Sequence, residues 1–126
     1  MGMCDGPSPY IVPLCFGYAA ETFYFHCAAE GRKLEILGRN PEVCLELESG
    51  VALKPGAKAC DWGMSYRSVI AVGRAERVEA PEEKRQALDL IMARYAPGTF
   101  DYPEAALAKT VVLKVRVQSM SGKRSG

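Results

Sequence analysis

Proline 13 limits the fold of this chain more than any other residue. It interrupts Tyr10-Ile11-Val12-Pro13-Leu14-Cys15-Phe16-Gly17-Tyr18, an apolar run of aromatic and β-branched side chains that otherwise reads as a strand. Proline has no N–H to give to a ladder, so the strand must lie at a sheet edge, bulge, or break at that point. Thr22 to Ala28 is a second strand candidate, and with the short connection Ala19-Ala20-Glu21 the two read as a hairpin. In a strand, successive side chains alternate between faces. Phe23, Phe25 and Cys27 therefore point one way, and Tyr24, His26 and Ala28 the other.

Beyond the hairpin, Glu30 to Asn40 reads as a short helix with Leu34 and Leu37 on its apolar side, stopped at Asn40-Pro41. Val43 to Glu48 alternates partly in period two, as a half-buried strand does, and Ser49 to Lys58 reads as a loop containing Gly and Pro. Tyr66 to Glu79 is a long strand candidate, with Gly73 marking a bulge or a close backbone approach. Ala80-Pro81-Glu82-Glu83 opens a second helix, with proline near its first position and acids at its positive end. Ala87, Leu88, Ile91, Met92 and Tyr95 form its buried stripe. Val111, Leu113, Val115 and Val117 mark a last strand, and Ser119 to Gly126 reads as a polar, basic tail. This order lacks the regular strand–helix alternation of a doubly wound sheet. It predicts a mainly β (α+β) fold: a single domain over residues 1–126, built as a small antiparallel barrel with two helices.

Sixteen basic and fifteen acidic residues leave a net charge of +1, which argues for neither a nucleic-acid partner nor an anionic membrane surface. No apolar run approaches the roughly 20 residues that span a bilayer. MGMCDGPSPY lacks the charged and apolar regions of a secretory signal, so a cytoplasmic location is expected. The five cysteines, Cys4, Cys15, Cys27, Cys44 and Cys60, contain no CxxC pair, and with a single histidine they do not match zinc-ligand spacing. They are expected to be buried free thiols in a reducing compartment.

Gly31-Arg32-Lys33 breaks a local rule. The leading N–H groups of a helix lack intrahelical partners and carry partial positive charge, and here two cations join them. An anion such as a phosphate would resolve the conflict, with the N–H groups, the Arg32 fork and the Lys33 point charge converging on it. The alternative is that both cations are solvated and Glu30 offsets them. A Cys27 nucleophile is disfavoured, because His26 points to the opposite strand face and cannot easily activate the thiol.

Three blocks, "PYIVPLCFGY", "FYFHCAAEGRKLEILGRNPEVCLELE" and "ACDWGMSYRSVIAVGRAERVE", resemble successive blocks of the FMN-binding split-barrel superfamily. Within it they are similar to the branch related to pyridoxamine 5'-phosphate oxidase that includes nitroimidazole-resistance proteins, and "VVLKVRVQSMSGKR" resembles that branch's closing strand. The resemblance implies an antiparallel six-stranded split barrel that forms a homodimer with FMN at the interface. It implies that Arg32 and Lys33 bind the FMN phosphate, and that Val12, Pro13 and Leu14 set backbone groups beside the flavin ring. His26, Cys27 and Ala28 would line the pocket. Trp62, Tyr66, Arg67, Ser68 and Val69 match a further pocket-forming block, supplied by the same subunit or its partner.

The implied activity is oxidoreduction of a small molecule, including a nitro-aromatic, with chemistry carried by the flavin. No catalytic side chain is designated; His26 is the candidate. No GxGxxG fingerprint follows a strand, so no nicotinamide site is placed. The competing reading is a split barrel that holds FMN or haem without turnover, with His26 as the one histidine available to haem. The resemblance implies an N-terminal helix and most of a first strand before Cys4-Asp5-Gly6; either the start was assigned late or the protein lacks that segment. Met1 to Cys4 is expected to be what remains of that strand, with the dimer covering the exposed edge.

Overall fold

The computed structural model describes all residues, Met1 to Gly126. Seven strands form one antiparallel sheet: β1 (Gly2–Asp5), β2 (Ser8–Ile11), β3 (Phe16–Ala19), β4 (Thr22–Ala28), β5 (Glu42–Lys54), β6 (Gly63–Arg77) and β7 (Thr110–Ser125). Helix α1 (Arg32–Arg39) follows β4; α2 (Pro81–Ala93) and α3 (Glu104–Lys109) lie between β6 and β7.

The strand order is β2-β1-β5-β6-β7-β4-β3, so the two edges of the sheet are neighbours in the chain. Only Val12 to Cys15 joins them. Five Cα steps reach at most about 18 Å, whereas seven flat strands would hold their edges about 29 Å apart. The sheet must therefore curl until β2 and β3 approach. Pro13 sits in that link, and the interruption expected from it is what lets the chain cross from one edge to the other.

The curled sheet encloses a core of Met1, Met3, Phe23, Phe25, Val43, Leu45, Ala71, Leu113 and Val115, into which α1 inserts Leu34, Ile36 and Leu37. Phe23, Phe25 and Cys27 do face this core, as their alternation predicts. On the outer face of β4 and β7, Val112 and Tyr24 pack against Ala87, Leu88 and Ile91 of α2 and Leu107 of α3. Tyr24 and Val112 thus alternate with inward Phe25 and Leu113 because that part of the sheet is covered on both faces. Of the predicted α2 stripe, Ala87, Leu88 and Ile91 are buried, while Tyr95 lies past the helix end and is exposed.

Gly73 is both a bulge and a close approach. The β6–β7 register slips between Val72, paired with Ser119, and Gly73, paired with Val117. Beyond the slip, β7 pairs with β6 alone, and with the end of β5 the three strands project as an arm. Gly50, at φ 62, sits in a second bulge, where β5 slips between Ser49 and Ala52.

Four expectations need correction. Residues 49 to 54 are strand, not loop, and Ser119 to Ser125 is strand, not tail. These residues bury little, so they carry no apolar alternation; main-chain pairing to β6 holds them. A third helix, α3, joins the two expected, its single buried residue Leu107 giving too short a period to read. The cysteines are free, but Cys4, Cys15, Cys44 and Cys60 are exposed and Cys27 half-buried. Cys4 and Cys44 occupy outward positions that alternate with buried Met3, Val43 and Leu45. Gly2–Asp5 pairs with β2 and β5, and Met1 and Met3 are core residues.

Candidate functional site

Gly31 caps α1 with φ 135, in a region open to glycine but strained for other residues, and nothing lies within 4 Å of where its Cβ would be. Its carbonyl accepts from the N–H groups of Leu34 (2.9 Å) and Glu35 (3.2 Å). No side chain caps the helix, so the leading N–H groups of Arg32 and Lys33 are left without the usual partner. Glu30 makes no ion pair with either cation. Arg32 turns instead to Asp5, at the end of β1, with Nη2 3.2 Å from Oδ2, and its guanidinium stacks 4.5 Å from the Tyr10 ring centroid. Arg39, at the other end of α1, donates to the second oxygen of Asp5 at 2.7 Å. These hydrogen bonds hold the Asp5 carboxyl below the usual carboxylate range. Lys33 has no carboxylate partner.

The link between the sheet edges is the second part of the site. Val12 is paired to the first residue: its N–H donates to the Met1 carbonyl at 3.0 Å, and its carbonyl accepts from the Met1 nitrogen at 2.8 Å. The open main chain lies just beyond, at Leu14 and Cys15, which belong to no strand and make no backbone hydrogen bond. Pro13 is exposed; Val12 and Leu14 rest half-buried on the barrel core beside which α1 packs.

At the end of β4, Cys27 is half-buried against the core and His26, paired with Val112, is exposed on the other face. Burial pushes the Cys27 thiol up, against the opposing pull of the Lys33 and Arg77 charges. A thiol held protonated is a poor nucleophile. Ala28 is exposed and ends the strand two residues before Glu30.

The remaining predicted residues stand elsewhere. Trp62 is 51% exposed at the base of the arm's turn, and Tyr66, Arg67, Ser68 and Val69 run along β6. Arg67 is registered with Ser49, seven residues along β5 from Glu42, which follows α1; that separation is roughly 23 Å of strand. No hydrogen bond or ion pair joins this block to Arg32 or Lys33 within the chain. Tyr66 and Arg67 instead line an open groove of about 380 Å³ with Arg124, which sequence reading passed over as tail. A second groove, of about 470 Å³, lies between α2 and residues 100–103, away from every predicted site residue. No three His, Cys, Asp or Glu side chains converge on a common point.

The sequence pattern of the pyridoxamine 5'-phosphate oxidase family matches residues 1–124. The chain belongs to this family. Among solved structures, this family member resembles a Bacteroides thetaiotaomicron protein described provisionally as a 5-nitroimidazole antibiotic resistance protein. The two are 39% identical with a TM-score of 0.85, over 96% of this chain and 72% of that one. The flavocytochrome Anf3 of Azotobacter vinelandii shares the fold (TM-score 0.83, 22% identity, 99% of this chain and 60% of that one). So does an FAD- and haem-binding protein of Mycobacterium smegmatis (TM-score 0.85, 21% identity, 98% of this chain and 63% of that one). The chain thus spans less than two thirds of the latter two proteins. No curated protein matches it. The architecture is that of the split barrels, and no helix is long and apolar enough to cross a membrane.

Proposed function

We propose that this chain binds FMN and acts as a flavin-dependent oxidoreductase on a small molecule, with nitro-aromatic compounds as the substrate class to test first. The observation that carries the reading is the start of α1. Uncapped N–H groups, the unpaired Lys33 and the aromatic-backed Arg32 fork surround the open Gly31, and all sit within a family named for an oxidase of a phosphorylated small molecule. This donor set fits a phosphate. The free main chain of Leu14 and Cys15 fits the polar edge of a flat ring lying on Val12 and Leu14. When bound, FMN would supply hydride or electron transfer. The residues of this chain would hold its phosphate, seat its ring and limit water around it. A cytoplasmic setting agrees with the reading.

The working unit of this reading is a homodimer. Ile70 and Val72 share the outward face of β6, 47% and 38% exposed, and Met64 and Leu53 continue it along the arm as a directly opposed pair. An aliphatic stripe of this kind is costly to leave in water. Pairing of two copies there would also bring a partner's Trp62 to Val69 block toward the first chain's α1.

Titrating purified protein with FMN while following flavin fluorescence and melting temperature tests the reading. Binding with saturable thermal stabilisation is expected, and Arg32→Ala/Lys33→Ala should abolish it. Stabilisation unchanged by that double substitution would refute the phosphate assignment. A haem spectrum in the purified protein would favour the carrier alternative, for which His26 is the one available imidazole.

A further inference from the structure

Asp5 is not among the site residues that the sequence or the resemblance pointed to, yet it is the one acid paired with the phosphate-binding Arg32 of the proposed function. Arg32 and Arg39 are seven positions apart, two turns of α1, and so share one face of the helix. Asp5 spans them, one carboxylate oxygen on each, at 3.2 and 2.7 Å. The three groups carry a net charge of +1, where the two arginines alone would carry +2. Tyr10 backs the Arg32 guanidinium at 4.5 Å and restricts how far it can swing.

We propose that Asp5 is an internal competitor for the anion site and tunes how strongly the protein prefers a phosphorylated flavin to the same ring without its phosphate. The inference rests on the FMN reading above. In the free protein the Asp5 carboxylate occupies one Arg32 Nη position, the same donor type a phosphate oxygen takes in a bidentate pair. A phosphate arriving at Gly31-Arg32-Lys33 must share Arg32 with that carboxylate or displace it toward Arg39. Arg39 is the acceptor of the displaced charge, and its shorter contact already draws Asp5 that way. Two exposed arginines with only one carboxylate between them are thus a graded device. Asp5 lowers the local positive potential enough to disfavour weak or adventitious anions, while a ligand that also gains ring contacts still binds. The riboflavin ring without phosphate meets none of these charges and is indifferent to Asp5.

The test compares the dissociation constants of FMN and riboflavin for the wild type, Asp5→Asn and Asp5→Ser at low salt, with circular dichroism confirming the fold of each. Both substitutions remove the charge, and the asparagine keeps the shape and one acceptor. The expected result is that FMN binds about 1.5- to fivefold more tightly to both variants, the range of one exposed ion-pair contribution. Riboflavin affinity stays unchanged, and the FMN gain shrinks as salt is raised. An unchanged or reduced preference for FMN in both variants, with the wild type preferring FMN, overturns the competitor role and leaves the phosphate site standing. A wild type that binds FMN and riboflavin equally overturns the phosphate site itself, and the competitor role with it.

Discussion

Gly17 and Ile91 touch through their main chains: a Cβ built on Gly17 of β3 would lie 2.7 Å from the backbone nitrogen of Ile91 in α2. The same Cβ would meet Leu90 at 2.7 to 2.8 Å, so β3 and α2 approach as closely as a missing side chain allows. The obstacle is helix backbone rather than the end of a flexible side chain, so it cannot rotate away. Gly17→Ala should therefore destabilise the protein by about 3 kcal/mol, the upper end of overpacking costs, with a melting temperature lowered by roughly 10 °C. Thermal unfolding followed by circular dichroism measures this. A loss below 1 kcal/mol would mean that α2 shifts off the sheet easily.

The outward stripe of β6 makes a prediction about assembly. Ile70→Glu/Val72→Lys places two charges at positions 47% and 38% exposed in the single chain, where they cost the monomer fold little. If two copies pair across this face, sedimentation should show wild-type dimer and variant monomer, with FMN affinity falling alongside. A variant that remains dimeric would move the interface elsewhere.

Thiol chemistry should divide the cysteines four to one. Cys4, Cys15, Cys44 and Cys60 are exposed, while Cys27 is half-buried with its thiol pushed up by burial. Labelling native protein at pH 8 with a thiol reagent should give four fast sites and one slow site, and Cys27→Ser should remove only the slow one. Because the folded Cys27 ionises less readily than the unfolded thiol, stability falls as pH rises above the usual thiol range. Cys27→Ser should flatten that alkaline fall.

Asp5 has the opposite sign. Its carboxyl is held below the usual carboxylate value by hydrogen bonds from Arg32 and Arg39. The stability it contributes is present above about pH 4 and is lost as pH falls through the lower, folded value. Wild type should therefore melt higher than Asp5→Asn at pH 7, and the two should converge toward pH 2. A melting difference that is constant with pH would show that the contact to α1 is not electrostatic.

Much of the fold was legible in local patterns. The alternation of Phe23, Phe25 and Cys27, the stripe of Ala87, Leu88 and Ile91, and the bulge at Gly73 were each readable because burial or backbone geometry restricts residue type at regular intervals. The Gly31-Arg32-Lys33 cluster was legible as charge in the wrong place. The outer halves of β5 and β7 were not, because exposed residues paired only through their main chains tolerate almost any side chain. Arg124 was missed for the same reason: it lies opposite Arg67 in a strand whose residues read as a tail.

The sequence by itself determined the inward and outward faces of the barrel strands, the break at Pro13 and the presence of two cations at the start of α1. These follow from steric and periodic rules acting over a few residues. Only the tertiary structure decided what the cations meet. Asp5 lies 27 positions before Arg32, and the two come together because α1 lies against β1 once the sheet has curled. The curl also decided that Val12 is paired to Met1 while Leu14 and Cys15 are left open, and pairing decided that Arg67 to Val69 stand opposite Ser49 to Leu47 of β5. Those are long-range register outcomes. They depend on which main-chain edges are left over when every other strand has found its partner.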